Sequence, residues 1–246
     1  MKKVKSLLFV ALSLTLFASC SSDDDNDNDN NLEAGETLVE LSIKTTLDTS
    51  ESNSLTLEAF QINMSEIEFE VSDDSPLKLP GDASSFTDAK LEGPIALNLV
   101  SDKASEGIVL ATTKVPNAKY KQIEFDLTPY EKEAEEFETL NDLTLYAKGK
   151  FVLNEEMTIH FIIERDKKLE VDSKYTDKFN LNGASTKVMI DLNLDNLINE
   201  LMGALAPMML QEELPEMLLI NKETMPEILT VFEEAFVEEF SIVEVK

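Results

Sequence analysis

A mainly β body, an antiparallel sandwich with a helical C-terminal part, is the fold class the sequence predicts. Three observations carry that prediction. Apolar and polar residues alternate with period two through most of 36–192. Turn-forming residues break the alternation at short intervals. Beyond Leu192 the apolar period lengthens to that of a helix.

The elements follow in order. Val39, Leu41 and Ile43 alternate with Glu40, Ser42 and Lys44, so one face of this strand is apolar and the other wet. Residues 54–71 carry Leu55, Leu57, Phe60, Ile62, Met64, Ile67, Phe69 and Val71. Their phase slips near Ala59 and again at Ser65, which predicts one long strand with bulges or a bend. Stretches 94–100, 108–115 and 120–127 supply three shorter strands. Leu143, Leu145, Ala147, Gly149 and Phe151 share one face of the next strand. Met157, Ile159, Phe161 and Ile163 share a face of its successor, opposite Thr158, His160, Ile162 and Glu164. Asn182-Gly183 predicts a turn before 186–192. Eight or nine short strands suit a sandwich or a half-open barrel. The reading adopted for 36–192 is a transthyretin- or immunoglobulin-like sandwich.

Residues 193–246 read as a helical extension of two to three helices packing on the sandwich. Leu197, Ile198, Leu201, Met202 and Leu205 recur at helical spacing, with Asn193 or Asp195 as N-cap and Pro207 ending or kinking the helix. Pro215 opens a short turn. Thr224-Met225-Pro226-Glu227 has the form of a capping box. The helix it opens puts Ile228, Leu229, Phe232, Ala235, Phe236 and Phe240 on one side and Glu233, Glu234 and Glu238 on the other. Such a tail either packs across the sandwich end or presents a Met/Phe-rich groove to a partner. Ile242-Val243-Glu244-Val245 reads as a short edge strand.

The N-terminal 20 residues read as a signal peptide. Lys2, Lys3 and Lys5 precede an apolar run over 7–18, shorter than the roughly 20 residues a membrane-crossing helix needs. Leu16-Phe17-Ala18-Ser19-Cys20 resembles a bacterial lipobox, with Phe17 where that family prefers Leu, Val or Ile. The resemblance implies cleavage before Cys20 and acylation of its thiol, hence attachment to a membrane through an N-terminal lipid. Residues 21–35 are an acidic tether reaching at most roughly 50 Å when extended, and 21–31 contain no apolar side chain to recover ordering entropy. Ser22-Asp23-Asp24-Asp25 resembles the surface-export signal of Bacteroidota-type lipoproteins, which implies the outer face of the outer membrane.

Composition narrows the chemistry. With 49 Asp+Glu against 21 Lys+Arg, the net charge of −28 argues against nucleic-acid binding. One cysteine excludes an internal disulfide framework and any multi-cysteine metal site. One histidine leaves nucleophilic triads and typical zinc sites short of parts. Alternation puts His160 on a solvated strand position, and Arg165, within Glu164-Arg165-Asp166, is expected to pair locally at the surface. So many carboxylates make any chosen pair uninformative, including those at 133–138, 212–216 and 233–239; the segment 130–141 reads as a solvated loop or short charged helix. There is no Trp; Tyr120, Tyr130, Tyr146 and Tyr175 are the remaining polar-tipped aromatic rings for carbohydrate stacking. Met202, Met208, Met209, Met217 and Met225 read as gap-fillers rather than soft-metal ligands. Asp25, Asp27, Asp29 and Glu36, with Leu32, match positions 1, 3, 5, 12 and 8 of an EF-hand loop. Asn30 replaces its glycine and no amphipathic helix precedes it, so this is a weak metal candidate. The sequence assigns no catalytic residue and no cofactor.

Segments 38–45, 60–69 and 107–123 carry a further resemblance. The last includes Val115-Pro116-Asn117-Ala118-Lys119-Tyr120-Lys121-Gln122-Ile123. Together they resemble an uncharacterised β-sandwich lipoprotein family, a domain of unknown function, over roughly 36–192. That resemblance implies fold and location and no chemistry. Two functional readings follow: a non-catalytic binding or scaffolding lipoprotein whose partner is an unknown protein or small ligand, and a lipid-anchored hydrolase using acidic residues with a divalent cation.

Overall fold

Because strands dominate 36–193 and the tail returns to the sheet, every described strand is hydrogen-bonded to another, all but β3 along one path. The computed structural model describes residues 35–47, 55–73, 75, 89–131, 135–154, 157–183, 185–209 and 215–246. The signal peptide and all of the tether except Gly35 lie outside them. Among the described residues there are eleven strands: β1 (Glu36–Thr46), β2 (Leu55–Val71), β3 (Ala89–Asn98), β4 (Ile108–Pro116), β5 (Ala118–Leu127), β6 (Leu145–Asn154), β7 (Met157–Arg165), β8 (Leu169–Leu181), β9 (Ser185–Asn193), β10 (Met217–Ile220) and β11 (Phe240–Val245). The helices are α1 (Asp102–Glu106), α2 (Leu194–Met209) and α3 (Pro226–Glu238), with a 3-10 turn at Glu135–Leu140. Strand order is β10-β7-β6-β2-β5-β8-β11-β9-β1-β4, with β3 added to β2. The result is mostly β in two sandwich-like sheets, with no closure between the ends of the path.

The long strand forms as expected. The pairing of β2 shifts between Leu57 and Ala59 and again between Met64 and Glu66, where the phase of the sequence slips. This strand is also where the sheets divide. Its first half pairs with β6 through Ile62↔Leu145, and its second half pairs with β5 from Met64↔Leu127 onward. Opposite the first bulge stands Gly149, and a Cβ there would run into the Thr56 carbonyl and the Phe161 ring. Close approach, not turn geometry, therefore requires glycine.

Three expectations are corrected. First, the sheet is mixed rather than antiparallel throughout: β1 runs parallel to β9, β7 to β10 and β8 to β11. Second, the tail is more than a helical extension, since β10 and β11 also come from it. Third, β11 is not an edge strand. It lies between β8 and β9, antiparallel to β9 and parallel to β8, so Asn182-Gly183 joins strands that do not pair with each other. The strand is held there by its pairing with β9 and by Phe240, which packs against Phe125 of β5 and Phe236 of α3.

Helices α2 and α3 pack against each other. α2 also touches β1, while α3 touches β8 and β10. Asn193 caps α2, its Oδ1 accepting from the Asn196 N–H at 3.2 Å. The expected capping box does not form. Thr224 instead donates to the Leu219 carbonyl and to Asn221 Oδ1, and α3 starts at Pro226 with no side-chain cap. Asn221, whose Oδ1 accepts from the Glu223 and Thr224 N–H groups, organises that turn.

Aromatic rings tie the helices to the strands. Phe236 on α3 lies 5.8 Å from Phe60 on β2 and 5.0 Å from Phe240 on β11, and Phe240 lies 4.9 Å from Phe125 on β5. All four rings are buried. The α3 face is therefore core, which decides between the two fates the sequence left open for the tail. Met202, Met208, Met209 and Met225 pack against the same core, while Met217 is exposed. The described residues from Gly35 to Lys246 belong to one compact unit.

Candidate functional site

The outer face of the β3-β2-β5-β8 sheet gathers carboxylates by register alone. Glu92, Glu66, Asp126 and Glu170 form one cross-strand row. Lys90, Glu68, Glu124 and Asp172 form the next. Alternation on each strand sends the intervening apolar residues, such as Ile67, Phe69, Phe125 and Val171, into the core. Like charges directly opposite each other oppose pairing, and lysines at the ends of the rows offset this. Lys90 Nζ lies 2.7 Å from Glu66 and 2.6 Å from Glu68; Lys168 Nζ lies 2.8 Å from Asp126 and 2.9 Å from Glu170. Those hydrogen bonds raise the pKa of both lysines. Glu124 is pushed up by burial first and then by Asp172, Glu68, Glu70 and Glu170.

A second polar feature lies where β7 and β10 end. Leu143, Glu164, Asp166, Asn221, Lys222 and Glu223 line a hollow of about 220 Å³. Lys222 is bonded to Asp166 and holds that carboxyl below the usual carboxylate range. A hydrolytic acid would need a raised pKa there.

Arg165 departs from expectation. It reaches across to α3, where Nη1 sits 2.9 Å from Glu233 Oε1, and both side chains are mostly buried. The pair is therefore long-range, because alternation turns Arg165 to the opposite side from Glu164 and Asp166. Burial, the larger influence, raises the Glu233 pKa, and Arg165 opposes the rise. A folded pKa above the unfolded value favours the fold at low pH. That contribution is lost as pH climbs through the folded pKa. Arg165→Ala should push the Glu233 pKa higher still, read by carbon-detected NMR titration of its carboxyl; an unchanged or lower value would refute the pairing.

The other sequence candidates fall as follows. Cys20, Ser22, Asp23, Asp24, Asp25, Asp27 and Asp29 lie outside the described residues. Glu36 opens β1 and pairs with Lys114 at 3.3 Å, so the last position of the EF-hand match is a strand residue with its own cation. Among the described residues, no cluster of three or more His, Cys, Asp or Glu is placed to hold a metal ion. His160 is exposed on β7 as alternation requires. Glu135, Glu136 and Glu138 are exposed on the 3-10 turn, yet that segment is no free loop: Tyr130 and Leu140 are buried at its two sides. Tyr120 is fully buried, its hydroxyl donating to the Pro116 carbonyl at 2.7 Å, so neither Tyr120 nor Tyr130 offers a stacking surface. No described helix is long and apolar enough to cross a membrane.

Sequence reasoning did not find the acidic rows, because β8 was missed and the register between strands is not written in any one of them. No protein-family model, curated protein or solved structure matches the chain.

Proposed function

We propose that this protein is a lipid-anchored, outer-membrane lipoprotein, exposed at the cell surface, that binds or scaffolds an unidentified protein or small ligand and catalyses no reaction. The membrane half of this reading rests on Cys20 and its flanks. The binding half rests on one observation: the carboxylates of β2, β3, β5 and β8 are set out in cross-strand rows along one sheet face. The resemblance to the uncharacterised lipoprotein domain supports the same location. A transthyretin- or immunoglobulin-like plan belongs to the proposal too; seven antiparallel pairings support it, and the parallel β1–β9, β7–β10 and β8–β11 contacts are what such a plan must accommodate. The hydrolase reading has the hollow at Glu164, Asp166 and Glu223 in its favour, with the lowered Asp166 pKa against it.

Two substitutions test the address. Cys20→Ser should leave the thermal unfolding of the body unchanged and move the protein from the membrane to the soluble fraction. Retention in the membrane fraction would overturn the anchor. Changing Asp23, Asp24 and Asp25 together to Ala should preserve acylation and abolish digestion by protease added to intact cells. Undiminished digestion would remove the export signal from the proposal.

A further inference from the structure

We infer that Asn63 and Thr144 hold one buried water molecule between them at the point where the two sheets divide. Asn63 is 1% exposed and Thr144 fully buried. Asn63 Oδ1 and Thr144 Oγ1 are both shielded from solvent, and neither has a hydrogen-bond partner among the described residues. Leaving such a group bare forfeits its hydration without return, and native proteins commonly satisfy it with an internal water.

The register places the two side chains together. Gln61↔Tyr146 and Ile62↔Leu145 are the last pairs of the β2–β6 ladder, so Thr144 is the next residue to face Asn63, and the Asn63 N–H donates to the Thr144 carbonyl at 3.1 Å. Residues opposed in this way carry Cβ atoms roughly 4.5–5.5 Å apart on one face. The polar tips of side chains opposed in this way come within reach of one water that bonds to both. Neither backbone completes the ladder beyond this point. The Thr144 N–H turns to the Arg165 carbonyl at 2.7 Å, and the Asn63 carbonyl accepts from the Thr128 N–H at 3.2 Å.

The orientation of the Asn63 amide is set from the other side. Its Nδ2 donates to the Thr128 carbonyl at 2.9 Å, which turns Oδ1 away from that carbonyl as an acceptor in search of a donor. The 3-10 turn closes over the place, contacting β2 and β6, with Thr139 Oγ1 donating to Gln61 Oε1 at 2.8 Å. A water here donates a hydrogen bond to Asn63 Oδ1 and accepts one from the Thr144 hydroxyl. It bridges β2 to β6 where the backbone ladder stops.

The test uses the purified full chain. Oxygen-17 relaxation dispersion of the solvent counts long-lived internal waters. The double variant Asn63→Leu with Thr144→Val should lose the amplitude of one of them, while Thr144→Ser, which keeps the hydroxyl, should lose none. A folded double variant with undiminished amplitude would overturn the inference. If the double variant does not fold, a crystal structure of the unaltered chain decides. Density for a water within about 3.2 Å of both atoms supports the site, and a direct Thr144-to-Asn63 hydrogen bond with no such density removes it.

Discussion

Ending the chain after Leu192 is expected to abolish the folded body, not merely to trim it. Twelve described apolar residues beyond that point are buried, from Leu194 to Ile242. Burial of a large apolar side chain contributes about 1.5–3 kcal/mol, against a net domain stability of about 5–15 kcal/mol. The cut also strips β11 from between β8 and β9 and uncovers Phe60 and Phe125. The truncated chain should show no cooperative thermal transition and should bind a hydrophobic dye. A monomeric truncate melting at the temperature of the complete chain would show that the tail is an independent module.

The second large effect falls on a single ring. Phe236 is fully buried and touches Phe60, Phe232 and Phe240 at centroid distances of 5.8, 6.2 and 5.0 Å. Phe236→Ala deletes the contact shared by α3, β2 and β11, and a buried Phe-to-Ala change costs about 3–5 kcal/mol. For a body of this size, Tm should fall by roughly 10 °C or more. Val231 on the same helix is 39% exposed, and Val231→Ala should stay within about 0.5 kcal/mol. Equal losses at the two positions would mean that α3 does not seat as described.

What was legible in the sequence was local. Alternation placed β1, β4, β5, β7 and β9 to within one to three residues, and the slips at Ala59 and Ser65 marked real register shifts in β2. Asn193 was legible as a cap because a short side-chain oxygen at a helix start has one good partner nearby. β8 was not legible. Its inward face carries Ser173 between Val171 and the rest of the strand, and the hydroxyl is satisfied by donating to the Ile123 carbonyl at 2.6 Å. A buried polar residue of this kind breaks the apolar period while the strand continues. The acidic rows, the Arg165–Glu233 pair and the seam at Asn63 all depend on which strand neighbours which. Nothing within a single strand encodes that choice.

The place of β11 has a consequence for how the protein comes into being. Residues 169–193 emerge as two strands joined by a tight turn, the arrangement that most readily zips into a hairpin. Yet the native sheet keeps a slot between them for a segment made some fifty residues later. Ribosome-ordered synthesis therefore delivers a nascent chain whose easiest early pairing is the wrong one. Productive folding waits until residues 240–245 arrive to fill that slot.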